Sequence, residues 1–267
     1  IKGAAATTLY GTEAGGGVIQ IFTKKGKVGG SAKWDFQANH GSTVLPEFGT
    51  SGRPYFGLGP FVKDGTTKNY SLSTTGGGSD LRYFLSANWS DNTGVLPDAW
   101  DDRVSIRGNF GFSPSKNLTI NYNTMVSKSR NQNPPQGNNA HGLTLNAYRG
   151  RASYFGTDWG APNFKEELEL LLEYDITSEF TRYTTGGEII WSPIENFTKI
   201  FKIGYDRSHA DHRNYRPYGF VRAKYGILAD LDWTGELINS EYIGSYDLGL
   251  SGDLNVDLSF GGQRTIQ

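Results

Sequence analysis

Apolar and polar residues alternate along most of this chain. In Val104–Ser113, Val104, Ile106, Phe110 and Phe112 fall on one side of an extended backbone, and Ser105, Arg107, Asn109 and Ser113 fall on the other. The next stretch repeats the pattern, with Leu118, Ile120, Tyr122 and Val126 opposite Thr119, Asn121 and Asn123. The same period predicts strands over 32–40, 68–76, 81–91, 180–192, 197–208, 244–252 and 254–262, about nine in all. Many approach the roughly 10 residues that a tilted strand needs to cross a bilayer.

The links between these strands alternate in length. Short turns are expected at Gly76, Pro114, Pro193 and Ser251, and long connections over 41–67, 92–101, 131–179 and 209–243. Two short turns share a pattern, SPSKNLT from Ser113 and SPIENFT from Ser192. A compact soluble domain seldom carries long structureless loops, because they bury too little surface to offset their ordering entropy. An antiparallel up-and-down meander, with short turns at one end and long loops at the other, is the layout of a transmembrane β-barrel. The fold class expected is therefore all-β, an incomplete barrel segment. The alternative is a soluble, secreted β-sandwich of lectin-like, carbohydrate-binding type, which explains the alternation but not the rhythm of the links.

On the barrel reading, Arg107, Asn109, Asn121, Asn123, Lys202 and Asp206 face the lumen and the apolar stripe meets lipid. Trp89 and Trp191 stand near strand ends, where an interfacial aromatic girdle is expected, although either ring could instead pack on the sheet.

Composition narrows the classes further. The 267 residues carry a net charge of −1, so no global basic field points to nucleic acid. The absence of Cys excludes disulfides and thiolate metal sites. Mean hydropathy is −0.49, yet 13% of the residues are aromatic and 36 are Gly, as suits strands with a single apolar face. No apolar run reaches the ~18 residues of a membrane helix.

The N-terminal stretch TLYGTEAGGGVIQIFTKKGK, Thr8–Lys27, sets a glycine cluster ahead of Val18, Ile19, Ile21 and Phe22 and closes on lysines. A short buried strand is expected there, with Gly11, Gly16 and Gly17 allowing turns and close backbone approach. No phosphate-binding G-x-x-x-x-G-K-[ST] is present, and no G-x-G-x-x-G opens a helix. The stretch resembles the end of the plug domain of TonB-dependent outer-membrane receptors, most closely in the SusC/RagA family, through Tyr10, Gly11, Gly16, Gly17, Val18, Thr23, Lys24, Lys25 and Gly26. NYSLSTTGGGSDLRYFLSANWSDNTGVL and RVSIRGNFGFSPSKNLTINYNTMVSKSRN continue the likeness to Asn131, beyond which it weakens.

The resemblance implies that residues 1–29 end a plug and 30–267 begin a barrel of about 22 strands, so that the chain is expected to be part of a longer protein. It further implies a transporter in the outer membrane of a Gram-negative bacterium. Such a receptor imports oligosaccharides or peptides, is energised by TonB–ExbB–ExbD through an upstream segment, and is capped by a SusD-like surface lipoprotein. Lys24, Lys25 and Lys27 would mark the periplasmic rim. No cofactor and no nucleic-acid partner is implied.

Aromatic faces stack on sugars and Arg forks grip polar groups. Candidate contacts with substrate or partner are therefore Tyr148, Arg149, Arg151, Tyr154, Phe155 and Trp159, and Arg213, Tyr215, Arg216, Tyr218 and Phe220. The alternative is that they pack the loops together. Phe164, Leu168, Leu171 and Leu172 have helical spacing, which predicts a short amphipathic helix in the third long loop. His209 and His212, beside Asp206 and Asp211, form a weak metal candidate against the plainer reading of a solvated rim. Four N-x-[ST] sequons carry no weight in a bacterial hairpin. No G-x-S-x-G, no H-E-x-x-H and no Cys nucleophile occurs, so no enzyme is expected.

Overall fold

The computed structural model describes residues 16, 24–45, 59, 61–136, 140–149, 164–221, 223–249 and 255–267. Nine strands form one sheet, each hydrogen-bonded to its neighbours in sequence. They are β1 (Lys33–Thr43), β2 (Gly65–Gly77), β3 (Leu81–Thr93), β4 (Trp100–Ser115), β5 (Leu118–Gln132), β6 (Asp175–Ile194), β7 (Phe197–Arg216), β8 (Ile227–Gly249) and β9 (Asn255–Ile266). Every pairing is antiparallel. Among the described residues no second sheet packs on this one, so the sandwich alternative does not hold.

The register carries the apolar stripe from strand to strand. One row runs Leu72, Ala87, Ile106, Val126, and another runs Leu81, Phe112, Ile120, Ile189, Phe201, Tyr242. These outer-face side chains stay exposed, Phe36 at 67% and Ile106 at 62%. Among the described residues the buried hydrophobic ones are instead Phe61, Leu143, Ala147, Leu168, Leu171, Tyr174 and Phe220, all in the links between strands. A sheet with an uncovered greasy face and its hydrophobic core outside the strands is unstable in water and stable in a bilayer. This is a transmembrane barrel wall.

Two short turns repeat one construction. Ser113 and Thr119 hydroxyls bond across the β4–β5 turn at 3.1 Å, and Ser192 and Thr198 across the β6–β7 turn at 3.0 Å. Each hairpin carries a register shift, at Phe112/Ser115 and at Trp191/Ile194, as a bulge gives. The last turn residue then accepts from the next strand. Ser192 N–H donates to the Asn117 carbonyl, and Asp247 N–H to that of Asn196, both at 2.9 Å.

One expectation needs correction. The alternation predicts a long loop over 209–243, but β7 continues to Arg216 and β8 begins at Ile227, leaving only 217–226 as the link. Beyond the apolar window the outer face of this hairpin turns polar, with Asp230, Asp232, Thr234 and Glu236, and the strand signal fades although pairing continues.

Candidate functional site

The polar residues of alternate positions share the inner face and line a cavity of about 640 Å³. Asn109, Asn121, Asn123, Lys202 and Asp206 all border it, as the alternation predicts. Charges there are spent on one another. Arg182 Nη2 lies 2.7 Å from Asp206 Oδ2, which also accepts from Thr184 Oγ1 at 2.7 Å. Lys202 Nζ meets Glu241 Oε2 at 2.8 Å. Arg82 Nη2 donates to Asn121 Oδ1 at 2.9 Å, and Asn121 Nδ2 donates to Glu188 Oε2 at 2.7 Å, a relay across four strands.

The segment leading into β1 crosses this face. Asn109 Nδ2 donates to the Lys24 carbonyl at 2.7 Å, and Lys25 and Gly26 border the cavity. Gly29 N–H donates to the Gly78 carbonyl at 2.6 Å, and Gly77 N–H returns a bond to Gly30 at 2.9 Å, so the segment is tied to the short β2–β3 turn. A Cβ at position 26 would fall 2.6 Å from the Gly76 carbonyl oxygen and closer still to the Tyr83 backbone, a space only glycine fits. Of the other motif residues, Gly16 is described but isolated. Tyr10, Gly11, Gly17, Val18 and Thr23 lie outside the described residues, as do Ile19, Ile21 and Phe22.

The links at the opposite end pack on each other. The predicted helix is present as Phe164–Glu169 followed by a 3₁₀ turn Leu170–Glu173, and it buries Leu168 and Leu171 beside Leu143 and Ala147 of a second helix, Leu143–Arg149. His141, Tyr174 and Phe220 meet edge to face, with centroids 5.7 to 6.4 Å apart. Arg216 stacks over Tyr174 at 4.6 Å and donates through Nη1 to His141 Nδ1 at 2.8 Å. Partial withdrawal from water pushes the Asp98 carboxyl above the ordinary carboxylate range, an effect that Lys63 opposes and Asp175 reinforces.

The second group of candidate contacts is therefore divided. Arg216 and Phe220 belong to the loop core, whereas Arg213 lies over the Tyr215 ring at 5.0 Å on the outer face. Tyr218 stands 78% exposed on the link. Arg151, Tyr154, Phe155 and Trp159 lie outside the described residues, as do the side chains of Tyr148 and Arg149, which end the second helix.

The two histidines also part company. Three positions apart on one strand, they project to opposite faces. His212 Nδ1 bonds Ser178 Oγ at 2.7 Å on the inner face. His209 instead meets Asp211 at 3.2 Å and Asp232 at 3.6 Å on the outer face. Asp232, directly opposite Asp211, is the neighbour that spacing along one strand does not reveal. These groups are largely exposed, as a solvated rim requires.

No family model matches the chain. A TonB-dependent receptor P3 of Formosa agariphila is 26% identical over 151 residues, 48% of this chain and 15% of that protein. The RagAB peptide importer in its closed-closed state superposes with a TM-score of 0.74 at 16% identity, over 98% of this chain and 37% of that one. A ferric enterobactin receptor of Pseudomonas aeruginosa gives 0.57 at 14% identity, over 99% and 35%. The fold is that of a TonB-dependent receptor barrel. The chain spans about a third of the solved receptors it matches, 37% and 35% of their lengths.

In this receptor-barrel fold the outer face is banded. Trp89 stacks on Tyr70 at 5.4 Å toward the long-loop end, and Lys199 Nζ lies 5.1 Å from the Trp191 ring near the short turns. Both rings are 43% exposed on the outer face, so they extend the apolar band rather than fill a core. Beyond Tyr70 and Trp89 a charged collar follows, with Lys68–Asp91 at 3.1 Å and Arg130–Asp102 at 2.6 Å. Apolar, aromatic and charged bands in that order mark the passage from hydrocarbon to headgroups.

Proposed function

We propose that this chain is the first part of the barrel of an outer-membrane importer of oligosaccharides or peptides, driven through TonB–ExbB–ExbD and capped by a SusD-like lipoprotein. The observation that carries the proposal is the two-sided wall: an uncovered apolar face outside, and inside a cavity bordered by polar groups and by the segment that enters β1. A wall of this kind separates lipid from a polar passage, and a segment bonded to the inner face supports an obstruction of that passage. Residues 1–29 are on this reading the end of the obstructing plug, and 30–267 the barrel. The likeness to a peptide importer supports the peptide arm, and the exposed Tyr218 together with the candidate loop residues supports contact with substrate or lid at the mouth. The role assigned is transport.

The test is deletion of the gene in its native host, followed by growth and labelled uptake on defined oligosaccharides and peptides as sole nutrient. The deletion is expected to abolish uptake of one class, the complete gene to restore it, and loss of TonB to reproduce the defect. Unchanged uptake of every large solute would overturn the transport reading.

A further inference from the structure

The inner wall is unevenly charged. Over β6–β8 each lysine or arginine bordering the large cavity has an acidic partner, as in Arg182–Asp206 and Lys202–Glu241. Over β1–β4 a second cavity of about 310 Å³ is bordered on the inner face by Asn39, Asn69, Ser71, Asn88, Ser105 and Arg103. Arg103 is exposed, and Arg107 follows four positions along the same face. Among the described residues neither guanidinium forms an ion pair or hydrogen bond. The nearest acid along the strand on that face, Asp101, instead accepts from Asn92 Nδ2 at 3.3 Å.

Amides and hydroxyls both donate and accept, which suits the hydroxyls or amides of a neutral oligomer backbone. An arginine fork without a partner does something different, because it favours a planar anion that accepts two parallel N–H groups. From this juxtaposition we infer that the inner wall of β1–β4 is a subsite for a carboxylate-bearing oligomer, with Arg103 gripping the carboxylate and Arg107 extending the positive field. This rests on the transport reading and narrows its substrate to an anionic one. The carboxylate has two sources, a uronic acid or an acidic peptide.

The experiment measures binding to the complete receptor in detergent by calorimetry. The probes are trigalacturonate against its methyl ester, and an Asp-containing pentapeptide against its Asn counterpart with an amidated C-terminus. One carboxylate probe is expected to bind at least tenfold tighter than its neutral counterpart and to weaken as salt is raised, and which of the two does so identifies the source. Arg103→Gln is expected to remove that preference without changing the affinity of the neutral probe, and Arg103→Lys to retain part of it. The salt series on the unaltered receptor keeps the test decisive if Arg103→Gln fails to fold. Equal binding of charged and neutral probes overturns the inference while leaving nutrient uptake, and so the transport reading, intact. So does an Arg103→Gln receptor that melts earlier yet keeps its preference, since the guanidinium would then hold another part of the protein.

Discussion

Asn109 on β4 donates its amide N–H to the main-chain carbonyl of Lys24, 2.7 Å away and 85 positions earlier in the chain. One side chain thus ties the wall to the segment that enters it. Asn109→Ala is expected to weaken that tie by about 1 kcal/mol, the ordinary net worth of such a bond. Protease sensitivity of the sites just before Lys24, measured in the complete receptor, should rise. Cleavage no faster than in the unaltered protein would mean that the bond holds nothing.

Gly26 supplies a sharper case. With the Gly76 carbonyl 2.6 Å from any added Cβ, Gly26→Val is expected to displace the crossing segment at a cost of about 1 to 3 kcal/mol. Gly41 and Gly262 have open space where a Cβ would stand, so alanine there is the control and should leave the thermal midpoint unchanged. A Gly26→Val receptor that melts with the controls would show that the crossing is not close-packed.

The two faces differ in what they tolerate. Ile106 is on the outer face and Ser105, its neighbour, on the inner. Ile106→Arg is expected to cost about 2 to 4 kcal/mol of bilayer stability, as a cation at mid-depth on a barrel exterior does, whereas Ser105→Arg is absorbed by the lumen. Folding into lipid vesicles, followed by the heat-dependent gel shift of closed barrels, measures both. Equal yields for the two variants would contradict the assignment of faces.

Asn196 closes the β6–β7 turn with φ +63°, a left-handed conformation that Asn and Gly accept and branched residues resist. Asn196→Gly should be nearly neutral, and Asn196→Val should lose about 1 to 2 kcal/mol in chemical unfolding. If valine matches glycine, the turn has relaxed to another form.

Asp98 predicts a small pH effect of definite sign. Its folded-state pKa lies above the unfolded one, so its contribution favours folding below the unfolded pKa and is lost as pH rises through the folded value. Much of the residue remains exposed, which keeps the effect modest. Asp98→Asn, which also suits the local φ of +55°, should flatten the profile and raise the midpoint slightly at neutral pH. A variant whose midpoint falls there would show that Lys63 outweighs the burial.

Most of the wall was legible because period-2 alternation and lipid exposure have the same cause. Where β7 and β8 leave the apolar window, Trp233 and Leu237 turn inward and acids turn outward, so the pattern inverts and the first half of β8 passes for loop. His209 and His212 stand on opposite faces for a related reason. A three-residue spacing joins side chains on a helix and separates them on a strand. The pairing of Asp211 with Asp232 and the bond from Asn109 to Lys24 depend on register and on distant chain, which no local pattern encodes.

Among the described residues, none of the tightly packed apolar side chains belongs to a strand; Phe61, Leu143, Leu168, Leu171 and Phe220 cohere among themselves in the long links. Natural variation can therefore rewrite those links wholesale while the lipid-embedded frame beneath continues unaltered. Divergence among descendants of such a gene should accumulate at one rim and spare the other.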